Sequence, residues 1–213
     1  MTTLPKLRID IVSDVVCPWC YVGRRRMAKA LAQIQTPYEL QIHWRPFELN
    51  GQLPATGLPF KPYMLQKFGS EAQLEAMLAQ MTQVGETEDI DFRFDLVGYA
   101  PNTFEAHRLL WWAATHNQQE ALAEALFAAY FTQGQDVGNR DTLISIAAGV
   151  GLTEAEAFLQ STEGLREVRH EQQAYQRAGI RSVPAYILNE KYLIQGAQPP
   201  ALFLETFEKV LAE

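Results

Sequence analysis

The chain holds two cysteines, Cys17 and Cys20, inside the stretch DVVCPWCYVGRRR that runs from Asp14 to Arg26. That spacing constrains the fold before any other feature does. A disulfide between them would close so short a loop that chain entropy supplies only about 2 kcal/mol, before strain is subtracted. The pair cannot tie distant parts of the chain together, so the fold has to rest on an apolar core. The composition permits this: 47% hydrophobic and 20% charged residues over 213 positions describe a globular chain, long enough to bury a core without staples. One large domain, or a small domain with a substantial insertion, fits the length.

What surrounds the cysteines gives them a context. Leu7 to Ser13, LRIDIVS, alternates apolar and polar residues and is rich in branched side chains, as a strand is. Trp19 to Ile34 has the spacing of a helix with an apolar stripe (Tyr21, Val22, Met27, Ala30, Leu31, Ile34), and Pro37 stops it. Glu39 to Trp44 is a second strand. At the other end, Ala185 to Leu188 and Lys191 to Gln195 flank Asn189 and Glu190, a tight turn between antiparallel strands. A last helix follows Pro199 and Pro200, with Leu202, Phe203, Phe207, Val210 and Leu211 on its apolar face. The two ends make a β-α-β unit and a β-β-α unit that can share one sheet.

Between them the spacing predicts almost nothing but helix: Ser70–Val84, Asn102–His116, Gln118–Phe131, Arg140–Val150, Glu154–Gln160 and Leu165–Ala178. Asn102 with Glu105, and Thr153 with Glu156, have capping-box spacing. Gly51 to Pro62, with Pro54, Gly57, Pro59 and Pro62 among its residues, is expected to be a loop. The helical part is therefore an insertion packed on the core.

Charge and hydropathy exclude several classes. A formal net charge of −7 disfavours nucleic acid or an anionic membrane surface as ligand. The one dense basic run, Arg24 to Arg26, is expected to be a solvated helix face. No segment has the length and apolarity of a membrane span, and MTTLPKLRIDIVSD lacks the pattern of a secretory leader. The expected compartment is the cytoplasm, where thiols stay reduced.

Three readings of the cysteines then compete. They are inert core thiols, half of a zinc site, or a redox pair. Zinc usually takes four ligands, and His43, His107, His116 and His170 show no paired spacing. The redox reading uses the context. Pro18 suits the first position of a helix, which sets the Cys17 sulfur at the helix N-terminus, where free amides and the helix dipole favour a thiolate. Cys17 is then the nucleophile. Cys20, one turn on and more buried, is placed to attack a mixed disulfide formed at Cys17. Trp19 is either a core residue or an apolar plate that holds substrate. Asp14 either serves the strand-to-helix turn or relays a proton. In GIRSVPAYIL, Gly179 to Leu188, Pro184 directly precedes a strand, a common place for a trans proline.

Taken in order, SDVVCPWCYVG, a long helical insertion and VPAYIL before a hairpin and last helix resemble the DsbA-like branch of the thioredoxin superfamily. NTFEAHRLL (Asn102 to Leu110), AYFTQGQDVGNRD (Ala129 to Asp141) and GAQPP (Gly196 to Pro200) are similar to its FrnE group. The resemblance implies an α/β fold with a thioredoxin-like core, formed by residues 1–46 and 181–213, and an all-helical inserted domain over 47–180. It implies a cis Val183–Pro184 peptide facing the cysteines, with the Val183 backbone free to pair with a substrate strand. His107 either borders the same groove or is an ordinary satisfied helix histidine. Two departures stand out. Trp19 lies where the exported oxidants of the family carry histidine, and Ile11 lies where much of the superfamily has an acid, six residues before the first cysteine, which leaves Asp14 as the nearby carboxylate.

The expected activity is that of a thiol-disulfide oxidoreductase, a reductase or isomerase of protein disulfides that works through Cys17 and Cys20. It would need no cofactor and no metal. Its partners would be protein or small-molecule disulfides and thiols, with glutathione or thioredoxin as electron donor. The alternatives are a glutathione-dependent transferase or isomerase of the kappa type, including 2-hydroxychromene-2-carboxylate isomerase, and a chaperone-like or zinc-binding module.

Overall fold

The computed structural model describes residues 4–213; the first three residues of the N-terminal segment discussed above lie outside the described residues. In chain order the elements are β1 (Lys6–Ser13), α1 (Pro18–Leu31), β2 (Glu39–Pro46), β3 (Leu58–Pro59), α2 (Phe60–Phe68), α3 (Glu71–Glu86), β4 (Tyr99–Ala100), α4 (Phe104–Ala114), α5 (Gln119–Phe131), α6 (Arg140–Gly149), α7 (Ala155–Gln160), α8 (Leu165–Arg177), β5 (Ala185–Leu188), β6 (Tyr192–Gln195) and α9 (Pro200–Leu211).

The main sheet has the order β2-β1-β5-β6. Strand β1 runs parallel to β2, with Ile9 opposite Ile42, and antiparallel to β5, with Ile11 opposite Tyr186. It is thus paired along both edges. LRIDIVS alternates apolar and polar residues, yet every residue from Ile9 to Ser13 is buried. Asp10 is tolerated there because Arg45 and Arg8 reach it, each at 2.6–2.8 Å. The β5–β6 turn is as the sequence suggests: Asn189 and Glu190 have φ of 46° and 59°, and Lys191 N–H donates to the Leu188 carbonyl at 2.9 Å. Positive φ at both central residues gives the twist that a two-residue hairpin needs.

Helices α2 to α8 fall between β2 and β5 in the chain, and their apolar residues join those of the sheet. Ile11, Val22, Leu109, Leu126 and Phe127 belong to one buried cluster. Tyr21 of α1 stacks on Phe127 of α5, ring centroids 5.1 Å apart, an arrangement that adds about 0.5–1.5 kcal/mol to burial.

Several sequence expectations need correction. Helix α1 ends at Leu31, short of Ile34. The region 47–180 also contains a two-stranded sheet, Leu58–Pro59 with Tyr99–Ala100, and the expected loop Gly51 to Pro62 runs into α2 at Phe60, with Pro62 in the tolerant first turn. Neither capping box forms. Asn102 Oδ1 accepts from Phe104 N–H at 3.0 Å and its amide donates to the Leu53 carbonyl, while Glu105 pairs with Arg108. Glu156 accepts from Gln160 instead of reaching back to Thr153. In both cases a tertiary or helix-face partner outcompetes the local bond. Working caps are Ser70, which accepts from Gln73 N–H, and Asn139, which accepts from Thr142 N–H.

The basic run is no solvated face. Arg24, only 13% exposed, pairs with Glu120 and Glu124; Arg25 pairs with Glu124 and donates to the Tyr21 hydroxyl. Arg26 binds Glu88 at 2.7 Å and the Ala197 carbonyl at 2.7 Å. These arginines clamp α1 between α5 on one side and the ends of α3 and β6 on the other. Glu88 takes Lys29 as well, at 3.0 Å. Burial pushes its carboxyl up, but the bonds from Arg26 and Lys29 outweigh burial and hold it below its ordinary range. A depressed carboxylate stabilises the fold above its unfolded pKa and stops doing so as pH falls through the folded value. Glu88→Gln is therefore expected to lower the urea midpoint at neutral pH and to narrow its fall on acidification below the usual carboxylate range. Equal acid sensitivity in both proteins would contradict this.

Candidate functional site at the cysteine turn

The site is built where β1 gives way to α1. Ser13 is the last residue of the strand and Pro18 the first of the helix, so the chain turns at the buried Val15 and Val16, and Cys17 falls at the helix N-cap. Its backbone is extended, φ −94° and ψ 110°, and no side chain caps the helix there. Cys17 N–H donates to the Asp14 carbonyl at 3.0 Å, and Cys20 N–H donates back to the Cys17 carbonyl at 3.0 Å. Both cysteines are free thiols.

Opposite the helix end lies the entry to β5. The Val183–Pro184 peptide is cis, and the Cys17 thiol donates to the Val183 carbonyl across 3.8 Å. Two segments 166 residues apart thus meet at one sulfur. Helix α1 comes this close because Gly23 has no side chain: a Cβ there would meet the Tyr186 hydroxyl at 2.2 Å and Pro184 Cγ at 3.2 Å.

Cys17 opens on a cavity of ≈330 Å³, walled by Trp19 and Val183 and by Met64, Met77, Met81 and Phe131 from the helical region. Three unbranched thioethers make this wall adaptable, since methionine fits partners of many shapes. Trp19 is 38% exposed and lines the cavity rim, so it is no core residue. Among the described residues, Lys67 is the one cationic side chain lining the cavity.

Cys20 lies beneath, 1% exposed. Burial raises its thiol well above the ordinary value and the neighbouring Cys17 sulfur adds to this, whereas the Ser13 side chain and the Asp14 backbone favour the thiolate. A buried group of this kind titrates only when something nearby receives its charge.

Asp14 and His107 come together, though away from the cavity. Asp14 is fully buried; its Oδ2 accepts from Leu49 N–H at 2.7 Å, and its Oδ1, without a hydrogen-bond partner, lies 3.4 Å from His107 Nε2. His107 Nε2 also bonds the Phe47 carbonyl at 2.9 Å. The Asp14 carbonyl closes the strand-to-helix turn, while its side chain holds the 47–49 segment, whose Leu49 forms part of the cavity rim. His107 is a satisfied helix histidine that does not line that cavity. The residues that sequence reading missed are Ser13 and Tyr186, both buried with hydroxyls lacking a partner. Their spacing carries no signal; only the register of β1 on β5 brings them under α1.

Among the described residues no group of three or more His, Cys, Asp or Glu side chains could hold a metal ion, and no helix is long and apolar enough to cross a membrane.

A dithiol at a helix start facing a cis-proline, on this sheet order, has clear relatives. Residues 8–208 match the DSBA-like thioredoxin domain, and the chain belongs to that family. It has a mixed α/β thioredoxin fold with a large helical complement. A probable DsbA oxidoreductase from Streptomyces coelicolor superposes with a TM-score of 0.88 at 29% identity, covering 97% of this chain and 91% of that one. The fold is shared by 2-hydroxychromene-2-carboxylate isomerase, TM-score 0.67 at 14% identity over 96% of each chain. It is shared too by the cytosolic disulfide reductase DsbM from Pseudomonas aeruginosa, solved with GSH, TM-score 0.63 at 16% identity over 96% of each chain.

The Asp14 geometry carries a stability consequence. Asp14→Ala leaves the Leu49 amide without its acceptor and is expected to cost about 1–3 kcal/mol, whereas Asp14→Asn keeps an oxygen for that amide and should cost less. Urea unfolding of both variants measures the difference, and equal losses would refute the assignment.

Proposed function

We propose that this protein is a dithiol oxidoreductase of protein disulfides, in which Cys17 is the nucleophile and Cys20 the resolving thiol. The observation that carries this reading is the Cys17 sulfur, set at the start of α1, 3.8 Å from the Val183 carbonyl and at the mouth of an apolar cavity. A substrate strand would lie along the Val183 backbone with Pro184 beside it, and its apolar side chains would enter the methionine-lined cavity against Trp19. Pairing through backbone groups sets no sequence requirement, and an adaptable apolar wall sets little more, which suits a broad set of polypeptides.

In the reaction the Cys17 thiolate attacks one sulfur of the substrate disulfide and forms a mixed disulfide, releasing the other substrate sulfur as a thiol. Cys20 then attacks Cys17 Sγ, and the substrate leaves reduced while the pair becomes a disulfide. A thiol reductant of the glutathione or thioredoxin class would restore it. If Cys20 does not resolve, reshuffling through the mixed disulfide makes the same site an isomerase. The site chemistry needs no bound cofactor. We place the action in the cytoplasm, in the direction of reduction or isomerisation, with support from the shared fold of a cytosolic disulfide reductase; the motifs quoted above support the FrnE group within the family. Residues 1–46 and 181–213 would supply the reactive thiols and the cis-proline, and 47–180 the cavity wall. Asp14 and His107 would act by holding the rim at Leu49.

A glutathione-centred transferase or isomerase is the weaker reading. Two thiols are retained here, and the cavity offers one lysine against the two carboxylates of glutathione. The readings separate cleanly in a test. Cys17→Ser should abolish reduction of a disulfide-bonded peptide, and Cys20→Ser should trap the Cys17 mixed disulfide, visible by mass spectrometry. Turnover that survives in Cys20→Ser with glutathione as sole thiol would sink the dithiol mechanism.

A further inference from the structure

Two buried hydroxyls lie on the sheet face beneath α1 with nothing to bond. Tyr186 is fully buried and Ser13 is 3% exposed, and neither hydroxyl has a hydrogen-bond partner. A polar group in that condition costs stability unless a partner appears. Both face the same element. Ile11 pairs with Tyr186 across β1 and β5; Ser13 is two residues beyond Ile11 and so projects to the same side. The Tyr186 ring packs edge-on to Phe203 of α9, centroids 4.8 Å apart, and its hydroxyl lies against α1. There it touches Gly23, 2.2 Å from where a Cβ would sit. Gly23 is one helical turn after Cys20, on the same face.

Resting on the dithiol reading above, we propose that the hydroxyls of Ser13 and Tyr186 become hydrogen-bond donors to the Cys20 sulfur, which becomes an anion as it resolves the mixed disulfide. While Cys20 is a thiol, a weak acceptor, the donors have no partner. When it ionises, a strong acceptor appears in a site from which water is excluded, where a hydrogen bond to developing charge is worth most. The electrostatics agree. Burial raises the Tyr186 phenol far above its ordinary value, and the charges of Cys20 and then Cys17 push it further, while Arg24 and Arg26 pull the other way. Ser13 favours the Cys20 thiolate. The hydroxyls donate hydrogen bonds and keep their protons. As the Cys17–Cys20 bond forms, the bond from Cys17 to the substrate sulfur breaks, and the proton shed by Cys20 ends on the departing thiolate.

Glutathione disulfide serves as the probe. Mixing it with the reduced full-length protein, quenching with acid and weighing the products separates attack by Cys17 from resolution by Cys20. In Tyr186→Phe and in Ser13→Ala the Cys17–glutathione species should accumulate, with resolution slowed about tenfold more than attack, the size expected for one hydrogen bond to a charged group. The urea midpoint of Tyr186→Phe should stay level or rise, because the lost hydroxyl had no partner in the resting state. Wild-type resolution rates in folded Tyr186→Phe and Ser13→Ala would overturn the inference while leaving the dithiol reading intact. Should Tyr186→Phe fail to fold, Ser13→Ala decides by the same criterion. A wild-type protein that never forms the Cys17–Cys20 disulfide would overturn the dithiol reading, and this inference with it.

Discussion

Strand β1 pairs along both of its edges, and the rest of the site depends on that pairing. Its parallel register with β2 requires a crossover, which α1 supplies. Its antiparallel register with β5, Val12 opposite Ala185, sets Pro184 level with the end of β1. The cysteine turn leaves from that end. A slip of two residues in the β1–β5 pairing would keep every apolar side chain facing its own layer, yet would carry the Val183 carbonyl several ångströms from Cys17, because a strand rises about 3.3 Å per residue. Register therefore sets the geometry of the chemistry.

Helix α1 is held against this frame by charge as well as by apolar contact. Salt bridges at an exposed surface add little, but the arginines of α1 are mostly covered, and each has a carboxylate or carbonyl within hydrogen-bond distance. They join the helix that carries the thiols to α5 and to the chain after β6, so the helical region and the sheet share their core and also fix the helix between them. The cavity beside Cys17 follows from that arrangement: one side is the thiol, Trp19 and Val183, the other the loosely buried helices α2 and α3, of which few residues reach the core. A rigid reactive group faces an adaptable wall.

Much of the fold was legible because it is written in short-range patterns. The strands LRIDIVS and AYIL, the Asn189–Glu190 turn and the apolar face of the last helix each follow from local spacing, and CPWC after a strand announces a sulfur at a helix start. Where local rules failed, a long-range partner had intervened. Asn102 was drawn to Leu53, and the basic run to Glu88, Glu120 and Glu124. Sequence spacing cannot rank such competitors, since they are distant in the chain and adjacent only after folding.

By itself the sequence determined that two thiols stand one helical turn apart, that they cannot staple the fold, and that a proline precedes the third strand of the sheet. Tertiary structure alone decided what surrounds those thiols. Strand pairing brought Val183 to Cys17 and placed the hydroxyls of Ser13 and Tyr186 under α1; packing put Trp19 at a rim and buried the Asp14 carboxylate against Leu49 and His107. Identity and local spacing travel with the chain. Distance, burial and the absence of a hydrogen-bond partner exist only once segments more than a hundred residues apart have been pressed together and water has been removed from between them.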